Sequence, residues 1–195
     1  MDAKRLYHTV RLWLCPGSYG RGKYLRTHNV FKSVGTWCSY QSRTIPLYGN
    51  LVKIGDHVTI ASNVVFFTHD GIHTALWGDK EYLTDNFPDV VKFGEGIGCI
   101  EIGDHVFIGA NSIINYNVKI GDHVVISAGS VITSDIPSNS VVRGNPAKVV
   151  CTLTQLLSMK AAKNSYPPEL DHKMGVYVSK ELEDWLWDDF YKNRK

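Results

Sequence analysis

Histidine is the side chain best suited to moving a proton near neutral pH, and this chain has eight. Their positions sort them. His57, His105 and His123 occupy the same place in three copies of Ile-Gly-Asp-His-Val. Three equivalent copies do not serve one reaction centre, so they read as outward-facing surface residues. His8, His28 and His172 lie in the terminal segments, where nothing marks them. His69 is different, because it follows Phe66-Phe67-Thr68 where a regular pattern breaks off. An imidazole placed there suits general acid–base work, with His73 as the second choice. The bland alternative is a loop histidine bonded to a neighbouring carbonyl. Cysteines at 15, 38, 99 and 151 form no CxxC pair, which argues against a zinc knuckle. They read as free structural thiols of a reducing compartment. No cysteine or serine stands in a marked nucleophile setting beside a histidine.

The elements that would position His69 come from an internal repeat. Ile-Gly-Asp-His-Val starts at Ile54, Ile102 and Ile120, separated by 48 and 18 residues, both multiples of six. Every sixth residue from Ile54 gives Ile54, Ile60 and Phe66; from Ile102 it gives Ile102, Ile108, Ile114, Ile120, Ile126 and Ile132. Eight of these nine are isoleucine in a chain with 14 isoleucines, which chance does not produce. The next residue is usually small (Gly55, Ala61, Gly103, Gly109, Gly121, Ser127), and the fourth after is small or β-branched (Val58, Val64, Val106, Ser112, Val118, Val124, Ser130). A helix needs a period of 3.6 and a flat strand a period of 2. A period of six predicts a solenoid of short strands and corners, three units per coil. Ile102 should then stack on Ile120 about one strand spacing away, roughly 4.8 Å. The small residues are expected to let the backbone bend at the corners.

Val34 to Ser39 fits the same template, and the phase slips across Pro46–Asn50, read as a bulge or short loop. The fold class is thus mainly β, a solenoid over 34–150 interrupted by one long loop, 70–98. Residues 1–33 form an N-terminal helical segment: Lys4–Leu14 is expected to be a helix stopped by Pro16-Gly17, and Arg21–Phe31 a second short one. Residues 151–195 form a C-terminal helical extension, with Leu153, Leu156, Leu157 and Met159 at helical spacing. Pro167-Pro168 breaks that segment, and Ser179 caps a last helix.

Composition narrows the function classes. Of 195 residues, 44% are hydrophobic and 21% charged, with net charge +2; this is an ordinary globular balance. It gives no bulk reason to expect a nucleic-acid or anionic-membrane partner. No 18-residue apolar run predicts a membrane span, and Met1–Pro16 reads as mature sequence. A cytoplasmic location is therefore expected.

The Ile-Gly-Asp-x-Val units, followed by Asn145-Pro146-Ala147-Lys148-Val149, resemble the hexapeptide-repeat acyltransferases. Within them the chain is similar to the maltose, galactoside and capsular-polysaccharide O-acetyltransferase branch. The resemblance implies a left-handed parallel β-helix, homotrimers with active sites between subunits, and acetyl-coenzyme A as donor. It implies an O-acetyltransferase acting on a saccharide hydroxyl, in a capsule or exopolysaccharide unit or a free sugar, by direct transfer. Acetylation of an amine on a nucleotide sugar, or of a serine-type amino acid, is the alternative. A catalytically silent scaffold is the third reading, and no metal is expected.

In that family the catalytic histidine follows an Ile-Ala-x-Asn-Val unit, which here is Ile60-Ala61-Ser62-Asn63-Val64 and leads to His69, though over a shorter interval. Asp70, Asp79, Glu81 and Asp85 are candidates for orienting its ring. Carried over by position, Ala110 meets the thioester end, Ala128 the pantetheine arm, Thr133 and Ser134 the nucleotide end, and Lys148 a phosphate. Ser134 and Cys151 stand where the family has basic residues, a loss Arg143 would compensate. The acceptor site transfers poorly: Arg43 would meet a negatively charged sugar or a nucleotide phosphate, or decorate the surface. Trp77 and Tyr82 in the loop suit a sugar ring, or equally an anchor for a neighbouring subunit.

Overall fold

Six residues suffice for a short strand and a corner if one corner residue adopts a left-handed backbone conformation. The computed structural model, which describes residues 3–76, 78–88, 94–162, 166–170 and 177–194, uses the repeat in this way. Two helices come first, α1 (Ala3–Leu14) and α2 (Ser18–Thr27). Strands β1 (Ser33–Val34), β2 (Ser39–Tyr40), β3 (Val52–Ile54), β4 (Thr59–Ile60) and β5 (Val65–Phe67) follow. The excursion carries two short helices, α3 (Ile72–Leu76) and α4 (Lys80–Asn86). The repeat resumes with β6 (Ile100–Ile102), β7 (Phe107–Ile108), β8 (Ile113–Asn115), β9 (Val118–Ile120), β10 (Val125–Ile126) and β11 (Val131–Ile132). A hairpin of β12 (Ser140–Gly144) and β13 (Ala147–Thr152) closes it, before α5 (Leu153–Ala162) and α6 (Lys180–Lys192).

Successive strands take successive faces of a three-sided coil. The first face is β1-β3-β6-β9, the second runs from β2 through β4, β7 and β10 to β12 and β13, and the third is β5-β8-β11. Pairing between coils is parallel, and β12–β13 is the one antiparallel strand pair among the described residues. The sixth-residue ladder is in register: Ile54 with Ile102 and Ile120, Ile60 with Ile108 and Ile126, Phe66 with Ile114 and Ile132. All nine side chains are buried, and each contributes roughly 1.5–3 kcal/mol of transfer free energy. The first coil takes 20 residues, pairing Ser33 with Lys53, because the phase slip becomes a 3-10 turn at Gly49–Leu51.

The corners correct one sequence expectation. Gly55, Gly103 and Gly121 do not take the left-handed turn. His57, His105 and His123 do, at φ 56–57°, as do Asn63, Asn111 and Asn117 at φ 57–58°. Asparagine and histidine tolerate this region better than most side chains. The glycines are needed for close approach instead: a Cβ on Gly55 would lie 2.7 Å from the Gly103 carbonyl, and one on Gly103 2.9 Å from Gly121. The repeated aspartates bind coil to coil. Asp104 Oδ1 accepts the Asp56 N–H at 2.7 Å, and Asp122 Oδ1 accepts the Asp104 N–H at 2.8 Å. The exposed histidines stack above one another, with ring centroids 4.8 and 4.9 Å apart.

Helix α2 starts at Ser18, earlier than expected, directly after Gly17 (φ 70°). By internal packing the chain forms two units, 1–155 and 156–195. In the second, Ser179 caps α6 as read from the sequence, its Oγ accepting the Leu182 N–H at 3.2 Å. All four cysteines are free thiols. No helix among the described residues is long and apolar enough to cross a membrane.

Truncating a rung tests the ladder. Ile108→Ala removes a side chain with no exposed area and should cost about 2–5 kcal/mol, read as a lower denaturant midpoint.

Candidate active site

The excursion closes on itself at a neck, and His69 sits in that neck. The Asp70 N–H donates to the Gly96 carbonyl at 2.8 Å, the Gly98 N–H donates to the Thr68 carbonyl at 3.1 Å, and His69 bridges Ile97 antiparallel. The closing strand thereby delivers Glu95, whose Oε1 lies 3.9 Å from His69 Nε2. That is within reach of an ion pair but longer than a hydrogen bond. The Tyr48 hydroxyl donates to Glu95 Oε2 at 2.9 Å and its ring meets His69 edge-on at 5.3 Å. This bond to Glu95, more than burial, raises the Tyr48 pKa. Phe67 stacks near-parallel to the imidazole, with centroids 6.0 Å apart. His69 Nδ1 is buried without a hydrogen-bond partner among the described residues.

The four carboxylates proposed from sequence proximity do other work. Asp70 accepts the Tyr116 hydroxyl at 2.7 Å and the Ile72 N–H at 3.2 Å. The Tyr116 bond is the main reason its pKa is lowered. Asp79 caps α4 by accepting the Tyr82 N–H at 3.0 Å, while Glu81 and Asp85 lie on that helix. None of the four lies within ion-pairing distance of His69. Glu95 and Tyr48 were missed because no spacing rule links them to His69; only closure of the neck brings the three together.

The remaining predicted residues fall on two other parts of the prism and on the edge His69 occupies. Ala110 and Ala128 stack on the edge after the second face, joined by the Gly129 N–H to the Ala110 carbonyl at 2.8 Å, with Ser62 below them. Gly109 lets them stack, since a Cβ there would lie 2.7 Å from Ala128 Cα. Thr133 and Ser134 are exposed after β11, on the same edge as His69. Lys148 is exposed on β13, opposite Arg143. Arg43 lies over the Trp13 ring, 5.0 Å from its centroid, near the edge that carries Ser62. His73 is half-buried on α3; Tyr82 is half-exposed on α4, its ring 6.4 Å from Phe87. Trp77 and His172 lie outside the described residues. Among the described residues, no three His, Cys, Asp or Glu side chains converge as a metal site.

A three-sided coil of parallel strands on a six-residue period defines a six-residue-repeat solenoid. Residues 99–134 match the family described as bacterial transferase hexapeptide (six repeats). Protein CapG of Staphylococcus aureus is 38% identical over 164 residues, which cover 83% of this chain and 85% of CapG. A maltose O-acetyltransferase from Clostridium difficile 630 is similar at TM-score 0.50 and 29% identity, covering 76% of this chain and 85% of that one. A hexapeptide-repeat acetyltransferase from Vibrio cholerae shares the fold at TM-score 0.54 and 23% identity, over 77% of this chain and 89% of that one. The chain belongs to the hexapeptide-repeat acyltransferase superfamily, and it is an acetyltransferase.

The Asp70–Tyr116 bond has a testable pH signature. A carboxylate with a depressed folded pKa adds stability above its unfolded value, about 3.9, and this is lost as pH falls through the folded value. Tyr116→Phe should raise the Asp70 pKa in a carboxyl NMR titration. It should also reduce the stability the protein loses on acidification below about pH 4.

Proposed function

We propose that this enzyme transfers the acetyl group of acetyl-coenzyme A to a hydroxyl of a saccharide, with His69 as general base. The observation that carries the reading is His69 Nε2 at the neck of the excursion, facing a carboxylate that a tyrosine hydroxyl holds in place. Nε2 takes the acceptor's hydroxyl proton as that oxygen attacks the thioester carbonyl. Glu95, 3.9 Å from the same nitrogen, stabilises the imidazolium that forms. When the tetrahedral intermediate collapses, the C–S bond breaks and the proton passes to the leaving thiolate. Glu95 and Tyr48 act through His69 and are positioning residues. The saccharide acceptor is supported by the similarity to a maltose O-acetyltransferase.

The coil is wound left-handed and works as a homotrimer in this reading. Two features support assembly. The outward column of the first face is charged, with Lys53 and Lys119 pairing Glu101 at 3.7 and 3.0 Å. The third face instead turns Val65, Phe67 and Ile113 outward, 42%, 42% and 36% exposed; such a stripe suits a subunit contact. The Ala110–Ala128 column and His69 also occupy different edges, so a donor site using both takes them from neighbouring chains. The Ala110 N–H would then face the oxyanion, while Ala128, Thr133, Ser134 and Lys148 line the path of coenzyme A.

Thiol release from acetyl-coenzyme A, measured across sugars, nucleotide sugars and amino acids, should select a saccharide hydroxyl. Selective acetylation of an amine would replace that reading with N-acetyl transfer. His69→Ala should lower turnover by roughly 10²–10⁴-fold with the oligomer intact by light scattering. Near-full activity would remove His69 from the mechanism. Glu95→Gln should lower kcat less and change its pH profile, which a purely structural residue would not do.

A further inference from the structure

A cleft of about 550 Å³ opens where α1 and the start of α2 meet the coil, lined by Trp13, Ser18, Arg21, Arg43, Ser62 and Asn63, among others. It combines three sources of positive potential, and among the described residues no acidic side chain lines it. Arg21 is only 6% exposed. Its Nε donates to the Tyr40 carbonyl at 2.7 Å and its Nη1 to the Cys15 carbonyl at 3.1 Å. Both partners are neutral, and Nη2 has no partner among the described residues. A guanidinium buried without a counter-ion is costly to a fold, and here a second one, Arg43, faces the same cleft. Burial first, and then the charge of Arg43, lowers the Arg21 pKa. Arg43 is held in place by the Trp13 ring beneath it, a cation–π arrangement. The ten-residue helix α2 also opens here. Its N-cap is Gly17, which has no side chain to cap the first N–H groups, and Ser18 lines the cleft. The positive end of that helix dipole adds to the two guanidinium charges.

The geometry points to a binding site for a phosphoryl group in this cleft, held between Arg21 and Arg43. Two full positive charges and a helix N-terminus suit a polyanion better than a single carboxylate; Arg21, with Nε and Nη1 engaged, offers Nη2, and Arg43 offers a guanidinium fork that matches phosphate oxygens. The cleft lies on the edge that continues from Ser62 to Ala110 and Ala128, with Asn63 Nδ2 donating to Asn111 Oδ1 at 3.2 Å along it. A phosphoryl group here would therefore sit at one end of the proposed donor track. Because Ser62 lies beyond Ala110, on the side away from Ala128, this end is the thioester end, which assigns the group to the acceptor: a saccharide carrying a phosphate or diphosphate. The acceptor assignment rests on the acetyl-transfer reading above, whereas phosphoryl binding does not.

Calorimetric titration of the whole 195-residue chain with sodium pyrophosphate should show saturable binding that weakens with added salt. Glucuronate should bind less tightly and glucose not at all. Arg43→Gln, at an exposed position, should weaken pyrophosphate at least tenfold and leave the circular dichroism unchanged, with Arg43→Lys intermediate. Coenzyme A affinity should be the same in Arg43→Gln and the natural protein. Absence of saturable pyrophosphate binding, indifference to Arg43→Gln, or a preference for glucuronate would each overturn the phosphoryl site. A parallel loss of coenzyme A affinity would assign the phosphoryl group to the donor and overturn the acceptor half. Pyrophosphate binding without any thiol release would sink the acetyl-transfer reading and leave the phosphoryl site standing.

Discussion

Each coil of this protein can exist only because the next one lies on it in register. A two- or three-residue strand has too few hydrogen bonds to stand alone. Here each borrows its partners from the coils above and below, and its inward isoleucine packs on the isoleucine of the adjacent coil. Register is fixed twice over, by the apolar ladder inside and by the aspartate-to-backbone bonds at the corners. The glycines that follow Ile54, Ile102, Ile108 and Ile120 are the cost of that fit, since a methyl group there would collide with the neighbouring backbone.

This nearest-neighbour construction explains how a long excursion can be tolerated. Solenoid repeats contact only adjacent repeats, so the chain can leave the coil after β5 and return at β6 while Ile54 still pairs with Ile102, 48 residues on. The departure and return points must be tied together, and that constraint generates the candidate site. The hydrogen bonds closing the neck place Glu95 beside His69 and leave Tyr48, from the turn that lengthens the first coil, to hold Glu95. Two irregularities in an otherwise periodic chain thus converge on one imidazole.

Regular faces and irregular edges divide the remaining roles. The first face is salted with alternating charge and the third is apolar outside as well as inside, a difference that periodicity alone does not require. The N-terminal helices cover the open end of the first coil, where Arg21 donates to the carbonyl of Tyr40. In covering that end they bring two arginines to one cleft without an acid between them.

The solenoid was legible in the sequence because its determinants are local and repeated. The isoleucine period, the cap at Ser179 and the break before His69 each depend on residues a few positions apart. The glycine role was misread, since a close approach between coils resembles a tight turn when only one coil is in view. His69 was found as the residue at the break. Its neighbours Glu95 and Tyr48, and the pairing of Arg21 with Arg43 across a cleft, were decided only in three dimensions. Those contacts join segments whose separation follows no period, and closing such loops is governed by packing and hydrogen bonds at their ends rather than by any pattern along the chain.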